Sequence, residues 1–270
     1  MSKRFDRFIA ALAGVQLSDR ACNQYSSIED DLRGNAIRRR NLRRYLEMLD
    51  SIGPDTMLVG EAPSYRGGRL TGIPFTSEQV MLQIPGTGYR KATPGPERST
   101  EASATMVWAI IRKMNPLPLL WNAFPFHPFQ RGNPRSNRLP SMSELLIGQD
   151  FIRMLMRLFD FPRIVAIGNR ASLSLSHMNI AHERVRHPSQ GGKQKFVDGM
   201  ARLSQLTSSE DPMPRKSQIQ EIKEGRSVRE RTYSGRNQPA GPKAPLPTKN
   251  AVKLSTVPSS AKEKYRGGRD

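Results

Sequence analysis

Residues 58–75 read Leu-Val-Gly-Glu-Ala-Pro-Ser-Tyr-Arg-Gly-Gly-Arg-Leu-Thr-Gly-Ile-Pro-Phe. The apolar run Met57-Leu58-Val59 ends at Gly60, and the carboxylate of Glu61 follows where a buried strand would surface. Open α/β sheets place their chemistry at that point. Pro63, Gly67, Gly68, Gly72 and Pro74 then read as a shaped loop, neither helix nor long strand. A loop of this composition closing on Phe75 suits a flat ligand.

Working outward, Thr56–Gly60 is the first of four short apolar runs; the others are 117–123, 163–168 and a weaker one around Glu183-Arg184-Val185. Helical periodicity separates them. It is read over residues 1–14, 36–50, 77–84 behind Ser77, 101–114, 141–159 behind a Ser141/Glu144 capping box, a segment capped by Asn169, and one carrying Phe196, Met200 and Leu203 that stops near Leu206. Strands that are apolar throughout, alternating with helices, predict an α/β fold: three αβα layers around a central four-stranded, mainly parallel sheet. Residues 85–99 read as an exposed basic loop, and Phe124–Pro140 as a long loop without periodicity. From Thr207 the chain turns polar and rich in Pro, Gly and Ser, so 1–206 is expected as the folded domain and 207–270 as a disordered basic tail.

The chain carries 43 Lys and Arg against 24 Asp and Glu, a formal charge of +19. A charge of that size favours a polyanion, because neutralising phosphates releases counterions. Residues 207–270 hold 14 basic and 7 acidic residues, so the first 206 are themselves basic. The lone Cys22 excludes a disulfide framework and a multi-thiolate metal site, and points to a reducing, cytoplasmic setting. The apolar residues near the N-terminus fall at helical spacing and read as an amphipathic helix. No run approaches the roughly 20 apolar residues of a membrane span.

Several chemistries fail on spacing. His177, His182 and His187 are five apart, which shares no face of a helix or strand, so no metal site is expected. Gly191-Gly192-Lys193 lacks the earlier Gly and the following Ser or Thr of a phosphate loop, and no Gly-x-Ser-x-Gly elbow occurs. What remains are three strand ends: Gly60-Glu61-Ala62-Pro63, Asn122 and His187-Pro188-Ser189. In a parallel sheet these share one edge, although Glu61 paired with an Arg, Asn122 capping a turn and His187 as a core histidine are the plain alternatives.

These residues, with Arg69-x-Thr71-Gly72-x-Pro74-Phe75-Thr76 and Asn137-Arg138-x-Pro140 in order between them, carry a resemblance to the uracil-DNA glycosylase superfamily, closest to its families four and five. The resemblance spans roughly residues 55–205 and implies hydrolysis of the N-glycosidic bond of uracil, or a related deaminated base, in DNA. It implies that Asn122 reads the base edge, that Phe75 stacks on a flipped base, and that Gly60, Ala62 and Pro63 bring backbone close to it. His187 would stabilise the leaving base and Glu61 would activate water or stabilise the sugar cation. Ser189 would hold a phosphate, and Lys193 and Lys195 would meet the DNA backbone.

Two departures stand out. Family-four enzymes carry a four-cysteine iron–sulfur cluster, which one cysteine cannot make, so no cofactor is expected. Where the family has an intercalating apolar residue after His-Pro-Ser, this chain has Gln190-Gly191-Gly192-Lys193, which leaves the wedge unassigned. The expected partner is uracil-containing DNA, bound by a monomer with no membrane contact. The alternative is a non-catalytic nucleic-acid-binding protein on the same fold.

Overall fold

The computed structural model describes residues 3–28, 31–84 and 88–209. Their elements, in chain order, are α1 (Asp6–Ala13), β1 (Ala21–Cys22), α2 (Leu32–Ile52), β2 (Thr56–Gly60), α3 (Gly68–Thr71), α4 (Glu78–Met81) and α5 (Ala102–Ile111). The chain continues through β3 (Leu119–Asn122), β4 (His127–Pro128), α6 (Met142–Leu158), β5 (Arg163–Ile167), α7 (Asn169–His177), β6 (Glu183–Val185) and α8 (Lys193–Ser209).

The sheet order is β3-β2-β5-β6 and every pairing is parallel, with Val59 opposite Trp121 and Ala166. All five residues of β2 and all four of β3 are buried, as strands covered on both faces must be. The crossover from β2 to β3 runs in one direction along the sheet, and those from β3 to β5 and β5 to β6 run in the other. Right-handed connections therefore put α5 on one face and α6 and α7 on the other. The packing of α6 on α7 and of α5 on α8 agrees, and gives the expected three layers. Because β2 and β5 send their chains to opposite faces, a crevice opens between their carboxyl ends.

The core is one cluster. Leu42, Tyr45, Leu46 and Leu49 of α2 join Leu58, Leu120, Ile152 and Val165, all essentially inaccessible. Truncating any one of these leucines to Ala costs about 2–5 kcal/mol. Tyr45 also serves the sheet edge, its hydroxyl accepting from Leu120 N at 2.7 Å.

The structure adjusts four readings. α2 starts at Leu32 rather than 36, because the Asp31 carboxylate accepts from Gly34 N at 3.1 Å and caps it. Gly168, not Asn169, is the cap residue of α7; its φ of +101° turns the chain from strand to helix, and Asn169 is the first helical residue. The loop after Glu61 contains one helical turn, α3, closed by Gly72 at φ +79°; a single turn needs little helix propensity when both ends are glycine. The loop over 124–140 contains β4, paired antiparallel with β1 in a small second sheet that includes Cys22. Apart from 207–209, which belong to α8, the expected tail lies outside the described residues, as do residues 85–87 of the basic loop.

Candidate active site

β2 delivers Glu61 and β3 delivers Asn122 at neighbouring positions, and the ladder continues past them: Ala123 N donates to Gly60 O at 2.7 Å and Phe124 N to Glu61 O at 3.0 Å. His187 follows β6, two strands away from β2, with β5 between. Gly168, at the end of β5, closes that distance. A Cβ there would lie 2.6 Å from Glu61 Oε1, so the carboxylate can cross the strand end only because the residue has no side chain. Glu61 Oε1 accepts from Arg170 N at 3.0 Å, in the first turn of α7, where a carboxylate complements the helix dipole. The partner is therefore a backbone amide, not the Arg side chain considered from sequence.

His187 is half-buried with Ser189 beside it. Ser189 N donates to His187 Nδ1 at 3.2 Å, and the Ser189 hydroxyl lies 2.8 Å from the same nitrogen. A backbone N–H can only donate, so Nδ1 is the acceptor and the ring proton sits on Nε2. Burial holds the imidazole below its ordinary value; the Glu61 charge opposes this and Arg186 adds to it. The ring is thus a neutral Nε2–H donor at neutral pH. Glu61, His187 and Ser189 line one cavity of about 310 Å³ with Ala62 and Pro63.

Phe75 stands on the other side of His187, ring centroids 6.3 Å apart and planes 31° apart. Its ring lies on Gly60, where a Cβ would meet Phe75 Cζ at 2.2 Å and Asn122 Oδ1 at 2.8 Å. Phe75 has φ +52°, a conformation a bulky residue adopts only when surroundings impose it. They do. Trp108 Nε1 donates to Phe75 O at 3.0 Å, Thr76 Oγ1 donates to Ile73 O at 2.8 Å and lies 2.7 Å from Thr71 Oγ1, and Tyr25 Oη donates to Gly72 O at 3.0 Å. Asn122 is 2% exposed, and no hydrogen bond among the described residues engages its side-chain amide. Its Oδ1 and the Phe75 ring both stand against Gly60, and it does not border the cavity that Glu61 and His187 share.

Lys193 and Lys195 are exposed in the first turn of α8, directly after Gly192. Cations are on the unfavourable end of a helix there, so their placement is not explained by helix stability. Sequence reasoning missed Glu101, which borders the cavity with Glu61 and His187 and whose carboxyl burial raises to about 7. It missed Gly168 as well. A carboxylate preceding a helix looks like an ordinary cap, and only the fold brings residue 101 to residue 61. Among the described residues no group of three His, Cys, Asp or Glu is placed to hold a metal, and Cys22 alone cannot supply a four-thiolate cluster. No helix among the described residues is long and apolar enough to cross a membrane.

The fold is similar to that of a solved structure, SMUG2 from Pedobacter heparinus, at 15% identity and a TM-score of 0.52, over 77% of this chain and 100% of that one. Neither a family model nor a curated protein matches the sequence.

Proposed function

We propose that the protein is a monofunctional DNA glycosylase that releases uracil, or a related deaminated base, by hydrolysing its N-glycosidic bond. The observation that carries the reading is the sheet edge, where Glu61 and His187 line one cavity and Asn122, paired with Gly60 across the strands, ends β3 beside them. An amide accepts from uracil N3–H and donates to O4, a pair that cytosine mismatches.

Cleavage puts positive charge on the sugar and negative charge on the departing base. The Nε2–H of His187 would donate to the anion as it forms, and Glu61, fixed at one oxygen by Arg170 N, would present the other to water or to the sugar. Gly60 and Ala62 would let backbone approach a base lying against Phe75, and Pro63 would shape that wall. The Ser189 hydroxyl is engaged on His187, so its first task in this reading is to hold the ring; a phosphate contact would come second. Lys193 and Lys195 would bind backbone phosphate, in keeping with the overall charge of +19. The chain would act as a monomer and form one domain through about residue 206.

The test is a panel of labelled oligonucleotides containing uracil, hypoxanthine or xanthine, incubated with protein and then alkali. Cleavage at the uracil is expected; no alkali-labile site in any of them ends the proposal. Binding of uracil DNA without an abasic product, unchanged by Glu61→Gln and His187→Ala, would instead support a non-catalytic binding protein.

A further inference from the structure

A nucleotide turned out of a duplex leaves a gap in the base stack, and the turn after His187 offers nothing apolar to fill it. Gln190 has φ +51° and Gly191 φ +73°, and both are exposed. The opposite rim differs. Leu139 is 56% exposed and borders both the cavity that holds Glu61 and His187 and the neighbouring cleft of about 720 Å³.

This leucine is mounted rather than loose. Before it, Arg138 grips Glu144 with two nitrogens at 2.6 and 2.7 Å and donates to Phe129 O and to Arg20 O, each at 2.9 Å. After it, Pro140 is buried and Ser141 opens the capping box of α6. One residue further back, Asn137 Oδ1 accepts from Tyr65 N at 2.9 Å, tying the segment to the loop that follows Glu61. Every neighbour is fixed while the Leu139 side chain faces outward at the cavity mouth. The cleft beside it carries Arg170 and Arg186, charges that suit the phosphates of a strand drawn across the rim.

We propose that Leu139 is the wedge: it enters the base stack as the target nucleotide turns into the cavity, and holds the gap open. An apolar side chain is suited to this because it replaces base-to-base contact without needing a hydrogen-bond partner inside the stack. The inference rests on the reading that a base enters the Glu61–His187 cavity, and it assigns the wedge to the segment between β3 and α6 instead of the His187 turn. A single strand has little stack to hold apart, so the contribution of Leu139 should be confined to duplexes.

The test is single-turnover base release by the full chain from a uracil oligonucleotide, alone and paired opposite guanine. Leu139→Ala should slow release from the duplex by about tenfold or more and change the single-strand rate by less than about twofold, with Leu139→Met close to wild type on both. Leu146→Ala, which removes another exposed leucine, in α6 and away from both cavities, should change neither. Equal rates for Leu139→Ala and wild type on the duplex, or equal losses on both substrates, overturn the wedge. A second readout needs no chemistry: the fluorescence of 2-aminopurine placed beside the uracil in the duplex. A rise on binding that Leu139→Ala abolishes supports the wedge even if no base is released, in which case the glycosylase reading fails alone. No rise with wild type overturns the wedge.

Discussion

The Phe75 loop and the His187 turn are neighbours at the candidate site, their rings 6.3 Å apart, yet they are held in opposite ways. Phe75 and its neighbours are fixed from afar, by Trp108 of α5, by Arg38 of α2 donating to Leu70 O at 3.2 Å, and by Tyr25. The His187 turn is held by itself: Ser189 on His187, and Gly192 N donating to Ser189 O at 3.0 Å. The half that would stack on the base is preformed by long-range bonds. The half that would meet the leaving charge is a local turn whose geometry rests on two glycines.

This contrast can be broken from either side. The largest effect is expected from His187→Ala, which removes the Nε2–H donor and should lower the rate of base release about 10²–10³-fold while leaving thermal stability nearly unchanged. Comparable loss of stability would mean that the turn supports the fold and not the chemistry. Gly192→Ala comes next. Its Cβ would stand 2.1 Å from His187 O, so the turn must open, and release should fall about tenfold or more with little change in base preference.

On the preformed side, Thr76→Val keeps the shape and removes the hydroxyl that joins Thr71 Oγ1 and Ile73 O. Denaturant unfolding should show a loss of about 1–2 kcal/mol, and discrimination between uracil and cytosine should weaken as Phe75 is freed. If stability holds and preference does not move, the loop is not the rigid half.

The smallest effect concerns Glu101, whose carboxyl is raised from 4.5 to about 7 in the fold. Between those values the folded state binds the proton more tightly than the unfolded one, so its stabilisation is complete below pH 4.5 and is lost as pH rises through 7. Glu101→Gln should flatten the fall of stability over that window. An unchanged slope in melting temperatures taken across it would show that the carboxyl is already ionised.

How much of this could be read from sequence follows the same division. The sheet was legible because β2, β3 and β5 are short apolar runs, and parallel strands put Gly60, Asn122 and the residues after Val185 at one edge. Glu61, Asn122 and His187 therefore stood out as strand-end polar residues. The bonds that define the site were not legible, because they join residues whose separation carries no local signature: Glu61 with Arg170, Tyr65 with Asn137, Phe75 with Trp108. Glycine was ambiguous for the same reason. Gly168 reads as the last residue of a strand in sequence, whereas in the fold it also clears the path of a carboxylate that comes from residue 61.

The most direct test of the central claim is to identify the product released from duplex DNA carrying a single uracil, by mass, before any alkali is added. The account predicts free uracil in amounts matching the abasic sites left behind, with the strand intact until alkali treatment, and loss of both with His187→Ala. An intact uracil strand after exhaustive incubation with DNA-bound protein, or a strand cut with the base still attached to its sugar, would contradict it.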